Sequence, residues 1–390
     1  MSANRIRARI GRRLRLGFVG GSSSAMIGPV HRLAARLDDF YEPVAAALSS
    51  DPQRGLAEGS ALGIPRVYPD FAALIAGEAG RADKPDAIAI ATPNDLHREQ
   101  ACAALEAGYP VICDKPLANN LADARAIQDA VRRTGLPFVL LHNYSGYPMV
   151  REARAAVAAG ELGKLHLARV SYLQGSLGQY IEADFDNLNP RLKWRLDPVR
   201  GGSHVMADIG THAHQLLVYI SGRRVEAVQA EVGASFEARI ADDTASALLR
   251  LEGGLRASFL ASKAATGAEN AISIELYGDK GGLAWEHSTP NALKIMRPQA
   301  AFETRTRGLA SLHPLAQRAT RISAGHHEGF FEAFANLMSD FADILAARLQ
   351  GQAPDPLALH IPGIEDGVAG AAFVEACVAS SSSGTWTNCE

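Results

Sequence analysis

Between residues 14 and 141, short apolar runs alternate with segments of helical periodicity. Residues 14–19 predict a strand, 29–37 a helix with Val30, Leu33, Ala34 and Leu37 on one face, and 44–48 a second strand. Asp51 followed by Pro52 marks a helix start, because aspartate accepts from the free N–H groups of a first turn and proline fits there. Further strands are predicted at 67–68, 87–90, 111–113 and 138–141, with helices at about 70–76, 95–107 and 121–134 between them. These strands are continuous apolar runs rather than alternating ones, so both their faces are buried, as in a parallel sheet. Strand–helix alternation repeated this often predicts a doubly wound α/β domain over residues 14–141.

After residue 142 the pattern changes. A helix at 148–159 leads into longer β-type segments at 165–174, 225–232, 245–251, 255–262, 271–277 and 282–286. Turn signals such as Glu252-Gly253-Gly254 and Gly278-Asp279-Lys280-Gly281 separate several of them. This predicts an α+β domain over residues 142–380, with a large, mostly antiparallel open sheet. Two late helices are expected at about 328–349 and 363–379, and a disordered tail over 381–390.

Composition narrows the class. Of 390 residues, 47% are hydrophobic and 21% charged, which excludes collagen-like, disordered and coiled-coil chains. The net charge of −3 carries no basic excess for nucleic acid. Cys102, Cys113, Cys377 and Cys389 are too scattered for a zinc knuckle or a disulfide framework, so a reducing, cytoplasmic setting is expected. No apolar run approaches the roughly 18 residues of a membrane span, so no membrane partner is expected. Arg5, Arg7, Arg9, Arg12, Arg13 and Arg15 crowd the start, and Arg12-Arg13 invites an export reading. The apolar stretch that follows is only Leu14, Leu16, Phe18 and Val19 before Gly20-Gly21-Ser22-Ser23-Ser24, so residues 1–13 are read as a disordered basic tail.

The first strand ends in Gly20-Gly21, and Gly28 opens the next helix. In a Rossmann turn, glycines make the tight turn, admit a pyrophosphate to the backbone and let helix and strand pack closely, while the helix N-terminus faces the phosphates. The run is longer than GxGxxG by two or three residues, but its place after the first strand makes Gly20, Gly21, Ser22, Met26 and Ile27 candidate dinucleotide-binding residues. An acidic residue at the end of the second strand would hold an NAD ribose. Here Ser49 and Ser50 stand there with Arg54 close by, and Asp51 reads as a helix cap, so NAD and NADP both stay open with a lean to NADP or dual use.

Three motifs make the reading specific: Ala91-Thr92-Pro93-Asn94-Asp95-Leu96-His97, Cys113-Asp114-Lys115-Pro116-Leu117 and Ala207-Asp208-Ile209-Gly210-Thr211-His212. With them, roughly residues 14–290 resemble the Gfo/Idh/MocA oxidoreductases (glucose–fructose oxidoreductase, inositol dehydrogenase), near the branch with levoglucosan dehydrogenase. The resemblance implies that Thr92, Pro93, Asn94, His97, Asp114 and Lys115 border the cofactor, although Asp114 stands where the family has glutamate. It also implies that Lys115 lies beside the nicotinamide and the reacting hydroxyl, where an ammonium stabilises a developing alkoxide. Asp208 and His212, four apart, would share a helix face, with His212 the general acid/base and Asp208 orienting it or the substrate. His204 and His214 are the bland histidines; a metal reading of these four residues is set aside, because hydride transfer needs none.

Candidate substrate residues are Asn143 and Tyr144, matching a family Asn-Tyr segment whose usual arginine is Ser145 here, together with Gln174, Trp194, Arg195 and His326. His326-His327-Glu328 is read as the start of a late helix. The expected activity is NAD(P)-dependent oxidation of a sugar, inositol or glycoside hydroxyl, or its reversal, by a homodimer or homotetramer. An NAD-dependent glycoside hydrolase of the same fold and a non-catalytic dinucleotide-binding regulator are the alternatives. Retention of Lys115, Asp208 and His212 counts against the regulator.

Overall fold

The apolar runs of the first 141 residues pair in parallel, as their two-sided hydrophobicity requires. The computed structural model describes residues 4–23, 25–182, 187–188, 193–194, 196–197 and 201–390. The chain divides into two units. The first comprises residues Met1–Ala118, Ala122–Gly146 and Phe330–Gly367, and the second Asn119–Leu121, Tyr147–Gly329 and Val368–Glu390.

The first unit begins with α1 (Arg5–Ile10), β1 (Leu14–Gly20), α2 (Ile27–Leu37), β2 (Tyr41–Ala47), α3 (Pro52–Ala61) and β3 (Arg66–Val67). It continues through α4 (Phe71–Glu78), β4 (Ala87–Ala91), α5 (His97–Glu106), β5 (Val111–Cys113), α6 (Leu121–Thr134) and β6 (Phe138–Leu140). The sheet order is β3-β2-β1-β4-β5-β6, the doubly wound Rossmann arrangement with β1 and β4 at the reversal of strand order. The face of α2 differs from expectation. Val30, His31, Ala34 and Ala35 turn inward, while Leu33 and Leu37 are about half exposed.

The second unit contains α7 (Pro148–Ala158), β7 (Leu165–Leu173), α8 (Thr211–Ser221), β8 (Val225–Gly233), β9 (Thr244–Leu251), β10 (Arg256–Ser262), β11 (Ala271–Gly278) and β12 (Gly281–Glu286). Beyond the expected strands, β13 (Ala292–Met296) and β14 (Glu303–Thr306) extend the sheet, followed by a short helix α9 (Pro314–Gln317). The order is β14-β13-β12-β11-β7-β10-β9-β8-β15, where β15 is Thr387–Asn388. All described pairings are antiparallel except β7 with β10, which run parallel. The remaining helices are α10 (Phe330–Leu349), which belongs to the first unit, and α11 (Ile364–Ser383). Assignment of α10 to the first unit corrects the expectation that residues 142–380 form one domain.

The described residues of both predicted tails carry regular structure. At the start, the Asn4 side chain accepts from the Arg7 N–H and Gly11 closes the helix in the left-handed region, so α1 is capped at both ends. Ile6 is fully buried in the first unit's core, Arg5 meets the Asp343 carboxylate on α10 at 3.0 Å, and Arg9 approaches it at 3.7 Å. The arginines are the polar face of an amphipathic turn. At the other end, α11 runs on to Ser383, and its serines act on the edge of the sheet. The Ala230 N–H donates to Ser380 Oγ (3.0 Å) and the Val232 N–H to Ser381 Oγ (2.9 Å), hydroxyls taking the place of a missing strand partner. Within Pro356–Ser383 an 18-residue window reaches a mean hydropathy of 1.2, with 44% of it buried, and Phe373 and Cys377 lie in the core.

Replacing Ile6 with Ala will therefore lower the unfolding free energy by about 3 kcal/mol in urea denaturation, the cost of a buried aliphatic deletion. A disordered tail would show no change.

Candidate active site

In the first unit, Gly20 and Gly21 both adopt positive φ, +72° and +69°. A Cβ on Gly28 would lie 2.0 Å from the Gly21 carbonyl oxygen, so the strand and helix touch backbone to backbone and no side chain fits between them. This bare cradle ahead of α2 fits a dinucleotide pyrophosphate. Around it Ser22 is buried, Met26 is exposed and Ile27 opens α2, while Arg32 on α2 donates to the Gly21 carbonyl and approaches Glu58 at 3.9 Å. Ser24 lies outside the described residues.

At the end of β2, Ser49 Oγ accepts from Arg54 Nε (3.1 Å) and Nη2 (2.8 Å), and Ser50 is exposed beside it. Asp51 caps α3 through the Arg54 N–H at 3.1 Å, so its carboxylate serves the helix. The corner where an acid would receive a ribose is instead a hydroxyl backed by a guanidinium.

The ends of β4 and β5 are tied together by His97. Its Nδ1 lies 2.9 Å from the Pro116 carbonyl oxygen and its Nε2 3.1 Å from that of Thr92. His97 is 1% exposed, and burial pushes its pKa down against Asp114 and the two carbonyls, which favour the protonated ring. His97 thus ties together the turns carrying Thr92, Pro93, Asn94 and Lys115. Thr92 donates to Gln100 (2.7 Å), and Asn94 is buried at the start of a 3-10 turn. Asp114 Oδ1 sits 3.5 Å from Nε2 of the fully buried His31, at the outer limit of a hydrogen bond. Burial works against the Asp114 charge, but His31 and the Lys115 ammonium outweigh it and hold the carboxyl below its usual range. The Lys115–Pro116 peptide is cis. After β6, Asn143 and Tyr144 lie in a buried 3-10 turn, and Asn143 Nδ2 has no hydrogen-bond partner among the described residues. A buried donor of this kind is costly unless a ligand takes it.

In the second unit, Asp208 lies on a π-turn, Met206–Gly210, in which the Thr211 N–H reaches back to the Met206 carbonyl. The wider turn replaces the regular helix on which the four-residue spacing of Asp208 and His212 was read, and such bulges recur at functional sites. The ammonium of Lys263, a residue 5% exposed, donates to the Asp208 carboxylate. Because β7 and β10 run parallel with Leu173 opposite Ser262, Gln174 and Lys263 leave the sheet at one edge, where β11 begins opposite Leu173. There Asn270 Oδ1 accepts from the Tyr172 hydroxyl (2.6 Å) and from Gln174 Nε2 (2.7 Å), and the Tyr172 ring lies 6.1 Å from that of His212. Asp208, His212 and Gln174 are thus brought into one cluster, to which sequence reasoning had not added Lys263, Asn270 and Tyr172.

Strand parity carries a signal for them. Ala257, Phe259 and Ala261 face inward on β10, and Lys263 continues that parity; Asn270 does so for Ile272, Ile274 and Leu276, and Gln174 for Val170 and Tyr172. Polar residues in inward register just past a strand end are the pattern. Trp194 is half-buried in a short helical piece, and Arg195 lies outside the described residues. His326 is exposed on a loop, 3.2 Å from Ser323 Oγ, and α10 starts only at Phe330, which corrects the expected helix start at His326.

The profile of the oxidoreductase family with NAD-binding Rossmann fold matches residues 14–142, and that of the GFO/IDH/MocA C-terminal domain matches residues 150–284. The chain belongs to the GFO/IDH/MocA oxidoreductases. Its first unit is their NAD-binding Rossmann fold. An oxidoreductase from Sinorhizobium meliloti is 40% identical, covering 96% of this chain and 99% of that one, with a TM-score of 0.86. An inositol dehydrogenase homolog from Azotobacter vinelandii, solved with NAD+, is 33% identical over 97% and 98% of the two chains, with a TM-score of 0.91. The levoglucosan dehydrogenase of Pseudarthrobacter phenanthrenivorans is 27% identical over 314 residues, 72% of this chain and 76% of its own length.

His214, two residues beyond His212, stacks on Phe373 at 4.5 Å, and burial lowers its pKa to about 4. The unfolded chain protonates this ring near pH 6.5 and the folded one only near 4. The stability it confers above 6.5 is therefore lost as the pH falls through that window, by about 3 kcal/mol in all. Denaturation at pH 7 and pH 4.5 will show a smaller acid loss for His214→Leu than for the wild type.

Proposed function

We propose that the protein oxidises a secondary hydroxyl of a sugar, inositol or glycoside with NAD+ or NADP+, or runs the reverse reduction. The observation that carries this reading is the polar edge of the second sheet, where Asp208, Lys263, Tyr172, Gln174 and Asn270 gather donors and acceptors around His212. A dense set of neutral and paired polar groups suits a polyhydroxylated ring. In this reading His212 takes the hydroxyl proton, imidazole being the usual general base for such a step. Asp208 orients substrate or imidazole, and the Lys115 ammonium stabilises the oxygen as its charge develops. When bound, the nicotinamide supplies the acceptor for the hydride leaving the carbinol carbon. The glycine cradle of Gly20, Gly21 and Gly28 would hold the pyrophosphate, and the Asn143 amide is a donor for substrate or nicotinamide. Inositol and levoglucosan, named for two of the relatives, are the first substrates to try. We also read the protein as a cytoplasmic homodimer or homotetramer, joined through the open sheet face on which Leu167, Leu248 and Leu260 are exposed.

The test is a panel of inositols, sugars and anhydrosugars with both cofactors, followed by nicotinamide absorbance. Turnover is expected with at least one, and Lys115→Ala will cut it on the order of 100-fold while NADH binding, read by fluorescence, persists. Silence across the panel in both directions would sink the reading. Release of an aglycone without net NADH would favour a hydrolase, and NADH binding without any turnover a regulator.

A second expectation follows from the corner at β2. Arg54→Ala will lower kcat/KM with NADP+ about tenfold, the worth of one charge-assisted hydrogen bond, and leave NAD+ kinetics unchanged.

A further inference from the structure

We infer that Lys263 is a positioning residue of the reaction: its buried ammonium holds Asp208 ionised and fixed on the π-turn, and through Asp208 sets the proton transfer at His212. The inference rests on the oxidoreductase reading above. Lys263 follows β10 at its inward register, and both of its backbone groups are tied down. Its N–H donates to the Asp243 carbonyl (2.8 Å) and its carbonyl accepts from the Leu177 N–H (2.8 Å). The stem therefore leaves a rigid edge, and Lys263 as a whole is 5% exposed. A buried ammonium requires a compensating charge, and Asp208 supplies it. The constraint acts in both directions. The π-turn sets the position of Asp208 in the helix, and the Lys263 ammonium, bonded to its Oδ2, sets the orientation of the carboxylate. The pair is neutral as a whole, so the cluster presents an oriented carboxylate to a neutral polyol without a net negative charge beside the base.

The experiment is a double-mutant cycle on the wild-type reaction, with Lys263→Met, Asp208→Asn and the double variant. Lys263→Met is expected to lower kcat on the order of 100-fold, with KM changing severalfold at most, and to leave NADH binding intact. In the Asp208→Asn background, Lys263→Met is expected to change kcat less than threefold, because its partner charge is already gone. Should Lys263→Met alone fail to fold, the double variant decides, since it removes both charges together and leaves neither unpaired. A double variant more than tenfold slower than Asp208→Asn overturns the inference, as does a Lys263→Met protein that folds and keeps wild-type kcat. A wild type that turns over none of the panel overturns the oxidoreductase reading, and the role of Lys263 with it.

Discussion

The parallel pairing of β7 with β10, set in an otherwise antiparallel sheet, is the constraint on which the chemistry of the second unit depends. Parallel neighbours end on the same edge, so the residues that follow them arrive together. Antiparallel neighbours would have sent Gln174 and Lys263 to opposite edges. Since side chains alternate along a strand, the inward register that fills the core with Val170, Phe259 and Ile274 continues past the strand ends as Gln174, Lys263 and Asn270. The core stops where these polar groups begin. The first unit follows the same rule throughout, because all its strands are parallel: Gly20, Ser49, Thr92, Asp114 and Asn143 each stand at or just beyond a carboxyl end.

Buried charge sets the second condition. Asp208 with Lys263 and Asp114 with His31 are pairs in which one partner is almost completely enclosed. A third set, Arg239 with Asp243 and Glu182, ties the loops at the same edge, its guanidinium also donating to the carbonyls of Leu177 and Gln179. Removing one member of such a pair strands the other, so these groups fix loop geometry more firmly than the apolar contacts beside them. His97 does comparable work at the ends of β4 and β5, its ring nitrogens lying 2.9 and 3.1 Å from two turn carbonyls.

How far this was legible depends on where each residue's environment is decided. The strands β4 and β5 and the helix α6 were readable to within a residue, because apolar runs and helical periodicity are local. The short strands β13 and β14 were not, since they are partly exposed, and β14 carries almost no apolar pattern. The α1 helix was hidden by its own arginines: one buried Ile6 among charges gives no periodicity, although the Asn4 and Gly11 caps were there to be read. The inward face of α2 was mistaken because Leu33 is more hydrophobic than His31, yet it is His31 that meets Asp114 and Phe334. Motif residues such as Lys115, Asp208 and His212 stood out by spacing. Lys263 had no motif to mark it, only strand parity.

The sequence by itself determined two fold types, the glycine turn, and the residues able to carry charge and protons, because each follows from short-range pattern and side-chain chemistry. Only the tertiary structure decided which of them act together. It paired Asp208 with Lys263 across 55 positions, placed His97 between the turns that follow β4 and β5 and left His326 on an exposed loop. The reason is physical. A side chain's charge is local to its residue, but the partner that makes burying that charge tolerable is chosen by strand order and direction, which long-range pairing alone specifies.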